Sequence, residues 1–209
     1  MSERLSVYLC GSRSFGAAAL DLLCRRGNPI TGVVSPVQDG RGRSDRLYDA
    51  ARAQGVPHTA GEDFRADRIP EGTDLLLAAH SHIYIGAKAR SRARLGCLGY
   101  HPSLLPLHRG RDAIRWTVHM RERITGGTVY WYNDAVDGGP IAAQDWCFCR
   151  PEWSAGDLWS EQLFPMGIRL FDGALDDIES GRVVERPQDE SLATWEPSWE
   201  RPPLDRSHD

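Results

Sequence analysis

No stretch of this 209-residue sequence is apolar for long enough to cross a membrane. Met1 to Arg4 leads straight into a strand-like segment instead of the charged and apolar regions of a signal peptide. A cytoplasmic protein is expected. An excess of basic charge is also lacking: at a formal net charge of −4 the chain has no overall attraction for phosphate backbones, so a nucleic-acid partner is not expected. The five cysteines, Cys10, Cys24, Cys97, Cys147 and Cys149, form no C-x-x-C pair. All but Cys24 lie in strand-like segments, which reads as buried thiols with no structural metal. A turn at Gly11-Ser12 follows the first strand, but G-x-G-x-x-G is absent, which argues against a dinucleotide. Without an internal repeat or a low-complexity linker, the expectation is one domain over 1–200 and a fraying tail at 201–209.

At 41% hydrophobic and 26% charged residues the chain has the balance of a folded globular protein. Leu5 to Cys10 reads as a strand, Ser14 to Arg26 as a helix ended by Gly27-Asn28-Pro29, and Ile30 to Val34 as a second strand. The intervening helix provides the crossover that a parallel pair needs. A polar loop, Pro36 to Ser44, precedes a helix from Asp45 to Gln54 and a short strand at 57–60. Asp74 to Ala79 carries Leu75, Leu76 and Leu77, as suits a strand buried on both faces. Ile141 to Cys149 reads as a late strand. Ser154 to Ser180 reads as a helix with Ser154 as its N-cap and Pro165 kinking or dividing it.

The chain is organised around Cys97 to Gly139. An apolar strand, Cys97-Leu98-Gly99-Tyr100, delivers His101 at its carboxyl end, and His101-Pro102-Ser103-Leu104-Leu105-Pro106 must form a fixed loop. A basic segment, His108-Arg109-Gly110-Arg111-Asp112, is followed by a helix at 113–120 and a strand at 128–132. That strand runs into Asp134-Ala135-Val136-Asp137-Gly138-Gly139-Pro140, a glycine-rich turn holding Asp137 near a strand end. A histidine and a carboxylate on neighbouring loops suit proton transfer, the carboxylate orienting the ring. The alternative is a hydrogen-bonded loop histidine. His80 and His82 in an H-x-H segment offer a metal pair with His101 as a third ligand, but no acidic partner is fixed by sequence.

Taken in order, His-Pro-Ser-Leu-Leu-Pro, Arg-Gly, Thr-Val and Asp-Gly-Gly-Pro-Ile resemble the folate-dependent formyltransferases, which include methionyl-tRNA, glycinamide-ribonucleotide and amino-sugar formyltransferases. Gly11 to Gly16, Gly32 to Ser35, and Pro187 to Pro197 are similar to further segments of that family. The resemblance implies an α/β fold, a Rossmann-like, largely parallel sheet with helices on both faces. It implies a 10-formyltetrahydrofolate donor and an N-formyltransferase acting on a primary amine of a small molecule, with His101 and Asp137 catalytic. The pterin is expected against His80, Ser81, His82, Ile83 and Tyr84 and against Ala135, Val136 and Gly138. The acceptor side is expected at Gly99, Ser103, Arg109, Gly110, Arg111 and Asp112, with the two arginines suited to an anion and Asp112 to an ammonium group. Solvated or structural charges are the plain alternative there. The family carries an Asn two positions before the His of His-Pro-Ser; here that position is Gly99. His80 or His82 is a candidate for the missing hydrogen-bond donor, the alternatives being a water or backbone N–H in that space or part of a larger acceptor. A formyl-folate hydrolase, or a folate-binding homologue that has lost catalysis, are the competing readings.

Overall fold

The computed structural model describes residues 4–199. It covers the expected 1–200 domain except at its ends, while the expected tail at 201–209 lies outside the described residues. The first strand, β1 (Val7–Gly11), and the fourth, β4 (Leu75–Ala79), are buried at every position. Their near-continuous apolar sequences are what a parallel strand covered on both faces requires. Between β1 and β2 (Ile30–Ser35) runs α1 (Arg13–Arg26). It stops at Gly27, whose φ of 74° is left-handed, and the following N–H groups close back on Cys24 and Leu23 carbonyls. α2 (Arg46–Ala53) is capped by the Asp45 carboxylate, which accepts from Leu47 N–H. β3 (His58–Ala60), a short α3 (Ala87–Arg90) and β5 (Cys97–His101) follow.

α4 (Ala113–His119) leads to β6 (Ile124–Trp131) and β7 (Ile141–Phe148). The seven strands form one sheet in the order β3-β2-β1-β4-β5-β6-β7. β1 to β5 pair in parallel, and β6 and β7 join antiparallel. β6 begins four residues before the expected strand. Gly126 and Gly127 conceal that start, because glycine is a poor strand former. They are needed there: a Cβ on Gly127 would collide with the Tyr100 ring. The Tyr100 hydroxyl in turn donates to the Leu163 carbonyl at 2.8 Å.

One face of the sheet presents Leu9, Leu75, Leu77, Leu98, Val129 and Trp131 to α1, α2 and the late helix α6 (Phe164–Glu179). Phe15 sits at the centre, its ring 5.3 Å from those of Tyr100, Trp159 and Phe164. Such pairs each add about 0.5–1.5 kcal/mol beyond area burial. The opposite face, with Tyr8, Cys10, Leu76 and Cys97, is covered more thinly, by Phe64, Ile69, Ile85 and α3. Of the strand cysteines, Cys10, Cys97 and Cys147 are buried, while Cys149 lies just beyond β7 and is half-buried. The helix expected at 154–180 is divided. α5 (Ala155–Leu158) opens on a capping box between Ser154 and Asp157, and a π turn at Trp159–Leu163 joins it to α6. Pro165 lies in the first turn of α6, where a missing N–H costs little.

Candidate active site

Register decides which side chains meet. Gly99 on β5 stands opposite Tyr130 on β6, and His101 stands opposite Thr128. Because side chains alternate along a strand, Gly99, His101, Thr128, Tyr130 and, one step further, Tyr132 address the same face. His101 is buried, and its Nε2 lies 2.7 Å from the His108 carbonyl oxygen. A carbonyl only accepts, so Nε2 carries a hydrogen, and Nδ1 is the nitrogen turned toward Asp137. Nδ1 and the Asp137 Oδ2 are 3.6 Å apart, beyond a direct hydrogen bond. The two groups thus face one another across a narrow gap.

Asp137 adopts a left-handed conformation, φ 51°, which carboxylate-bearing residues tolerate better than most. Its Oδ2 accepts the Gly110 N–H at 2.7 Å, and its Oδ1 accepts the Tyr130 O–H at 2.5 Å. Behind it, Gln188 donates from Nε2 to the carbonyls of Asp137 and Gly139 at 2.8 and 2.7 Å. The glycine-rich turn is therefore anchored by a residue fifty positions downstream. Burial pushes the Tyr130 phenol well up, with Tyr132 and Asp137 adding to it, so Tyr130 remains a protonated donor.

The loop after His101 is braced rather than open. Ser103 is fully buried and donates its hydroxyl hydrogen to the Leu107 carbonyl at 2.6 Å, while Thr128 donates to the Ser103 carbonyl at 2.7 Å. His108 sits between Glu122 and Glu196, each 2.9 Å from a ring nitrogen. Arg109 is buried: its guanidinium is directed at Gln188 and Glu190 and lies over the Trp195 ring. This is the structural use of that charge, and its donors are turned away from an acceptor. Arg111 is exposed, and Asp112 accepts the Trp199 N–H at 3.1 Å. The segment from Arg186 to Trp199 thus packs along the loop, with Thr194 bonded to the backbone of Pro106, His108 and Arg109.

His80 leaves β4 with a left-handed φ of 58°, its carbonyl held by the Ser12 hydroxyl at 2.7 Å. Its ring meets that of His82 edge-on at 4.8 Å. Burial lowers the His80 pKa to about 4, with His82 and Arg13 reinforcing the shift. Burial, Arg13 and Arg111 lower that of His82. Both rings are therefore neutral at pH 7. Ser81 bonds within the turn to Ile83, and Tyr84 is largely exposed. Across from this segment, Ala135 and Val136 are exposed and Gly138 is half-buried. Arg90 ties the two walls together, donating to the Ile85 carbonyl at 2.9 Å and pairing with Asp134. Among the described hydrogen bonds, the backbone groups of His82, Tyr84 and Val136 have no protein partner. Free donors and acceptors of this kind fit the edge of a flat heterocycle.

Of the open alternatives for the space beside Gly99, none is what the structure shows: Tyr132 fills it. A Cβ at Gly99 would lie 2.8 Å from Cζ and 2.9 Å from Oη of Tyr132, and nearer still to Cε1. Any side chain at position 99 would displace that ring. Tyr132 stacks on Tyr130 with centroids 5.1 Å apart and packs with Ile83 on the cluster containing Cys97. Tyr130, Tyr132, Gln188 and Arg90 were not singled out by sequence. The period-two spacing of Thr128, Tyr130 and Tyr132, set beside Gly99 and His101, carried the signal for the two tyrosines.

A family model described as formyl transferase matches residues 59–164, half of the chain. The mitochondrial 10-formyltetrahydrofolate dehydrogenase of Mus musculus is 31% identical over 208 residues, taking in 93% of this chain and 22% of that protein. The methionyl-tRNA formyltransferase of Chloroflexus aurantiacus is 34% identical over 201 residues, covering 91% of this chain and 64% of its own length. The chain thus spans about a fifth of the former and under two thirds of the latter. Among solved structures, glycinamide ribonucleotide transformylase 1 from Symbiobacterium toebii superposes with a TM-score of 0.75 at 22% identity, over 89% of this chain and 95% of that one, a likeness of fold. The matched residues hold β4, β5, β6 and β7, and so the strands and loops that present His101 and Asp137; this chain belongs to the formyl transferase family.

Proposed function

We propose that this protein transfers a formyl group from 10-formyltetrahydrofolate to a primary amine of a small molecule. The observation that carries the reading is the pairing of His101 and Asp137 across 3.6 Å on a face walled by two backbone-rich segments. The donor supplies an activated formyl carbon. The chain's part is to hold its pterin between His80–Tyr84 and Ala135–Gly138, where the free backbone groups of His82, Tyr84 and Val136 suit the ring edge.

His101, fixed through Nε2 to the His108 carbonyl, presents Nδ1 toward the gap and takes part in moving the proton that the attacking amine loses. Asp137, held by Gly110 and Tyr130, sets the ring and balances its charge. Gly110, Arg111 and Asp112 form the acceptor side, with Arg111 as the exposed cation there and Arg109 serving to clamp the downstream segment. The test is release of tetrahydrofolate from 10-formyltetrahydrofolate with and without a panel of small amines. Amine-dependent release with formation of the N-formyl product supports the reading. Equal release without amine points to hydrolysis, and none in either arm refutes formyl transfer.

A further inference from the structure

Attack on a formyl carbon places negative charge on its oxygen, and a site that accelerates the step needs a donor aimed at that oxygen. His101 and Asp137 are committed to the nitrogen side. We propose that Tyr132 is the catalytic residue on the oxygen side, its phenol O–H donating to the formyl oxygen from the place beside Gly99 that its ring fills. This inference rests on the formyl-transfer reading above.

Four features carry it. The Tyr132 ring occupies a place that exists only because position 99 has no Cβ, two residues before His101 on the same strand face. Tyr130 directs its one O–H to Asp137, and the Tyr132 O–H, within hydrogen-bond reach of the Tyr130 phenol oxygen, is the hydrogen of the pair that a more negative oxygen draws to itself. Stacking on Tyr130 and packing against the buried cluster that holds Cys10 and Cys97 fix the ring before any ligand arrives, and preorganised donors are the effective ones. Burial raises the Tyr132 phenol far above neutral pH, so it is a donor throughout the physiological range.

The step balances as follows. The amine lone pair forms a C–N bond to the formyl carbon while the C=O π pair moves onto oxygen, where it is met by the Tyr132 O–H. One amine proton passes by way of His101 to the folate nitrogen, with Asp137 balancing the charge on the ring. The oxygen pair then re-forms C=O, the bond from carbon to the folate nitrogen breaks, and N-formyl amine and tetrahydrofolate leave. Tyr132 keeps its proton throughout.

The experiment compares Tyr132→Phe, Gly99→Asn, Tyr132→Val and the double variant Gly99→Asn with Tyr132→Val. It measures kcat with 10-formyltetrahydrofolate, affinity for 5-formyltetrahydrofolate by calorimetry, and thermal melting. Tyr132→Phe should lose about 10²–10³-fold in kcat at near-constant affinity and stability, as removal of one oxyanion donor does. Gly99→Asn alone should be inactive and less stable, because its side chain meets the Tyr132 ring. In the double variant the cleared space admits the amide as a substitute donor, and kcat should rise at least about tenfold above Tyr132→Val. A purely structural Tyr132 would show no such rescue. A folded Tyr132→Phe protein with wild-type kcat, or a double variant no faster than Tyr132→Val, overturns the assignment while leaving formyl transfer intact. A wild-type protein that releases no tetrahydrofolate overturns both.

Discussion

Replacing Gln188 by Glu tests whether the Asp137 turn is set from the far end of the described chain. The Gln188 amide has two jobs: Oε1 accepts from Arg109 Nη2 at 2.7 Å, and Nε2 donates to the Asp137 and Gly139 carbonyls. Glutamate keeps the size and strengthens the attraction to Arg109, but it points an anionic oxygen at two carbonyls where an N–H₂ stood. Two neutral hydrogen bonds are worth about 1–3 kcal/mol together, and half-burial favours the lower part of that range. About 1–2 kcal/mol, falling on the turn alone, changes the population of its working geometry by about 5–30-fold. The expected result is a kcat lowered by that factor, while the melting temperature moves little because the Arg109 pair offsets the loss. Steady-state kinetics beside thermal denaturation supply both numbers, with Asp137→Asn as the floor. Wild-type kcat in a folded Gln188→Glu protein would refute the idea that this amide positions Asp137.

His101→Ala and Asp137→Asn should each lower turnover by about 10²–10⁴-fold with unchanged circular dichroism; wild-type rates in both would end the proposed mechanism. Gly139→Ala should cost about 3 kcal/mol in urea unfolding, since its Cβ would lie 2.8 Å from the Trp131 carbonyl carbon and closer to its oxygen. His80 makes stability acid-sensitive. Its folded pKa, about 4, lies below the ordinary 6.5, so the unfolded chain binds the proton first; the stabilisation is present above 6.5 and is lost as pH falls toward 4. His80→Gln should flatten the urea midpoint between pH 7 and pH 5 relative to wild type, and an equal slope in both proteins would contradict this.

Much of the sheet was legible because its strands are apolar runs set between turn residues, as at Leu75 to Ala79 and Cys97 to Tyr100. The start of β6 was not, since Gly126 and Gly127 answer to the bulk of neighbours distant in sequence, Tyr100 and Leu104. Nor was the π turn before Pro165, which no local residue signal marks. His101 and Asp137 could be picked out from local motifs. The partner of Gly99 could not, because Tyr132 reaches it only through the β5–β6 register, and the H-x-H motif drew attention to rings on the turn after β4. The burial of Arg109 against Glu190 likewise belongs to tertiary contacts: within its own segment it reads as one more surface charge.

The packing of Arg186 to Trp199 against the loop after His101 has a consequence for the timing of synthesis. A ribosome delivers the residues of β1 to β7 before it delivers Gln188, Glu190 and Thr194, and at about 5–20 residues per second the 40 residues from Phe148 to Gln188 take about 2–8 s. A nascent chain can pair its strands in that interval, but Arg109 still has no carboxylate to meet and the Asp137 turn no amide to hold it. The Asp137 turn facing His101 is thus braced by the last described residues to emerge. An incomplete product ending before Gln188 would carry the sheet without the braces on Asp137 and Arg109, so the order of the sequence itself makes this face the late-formed part of the fold.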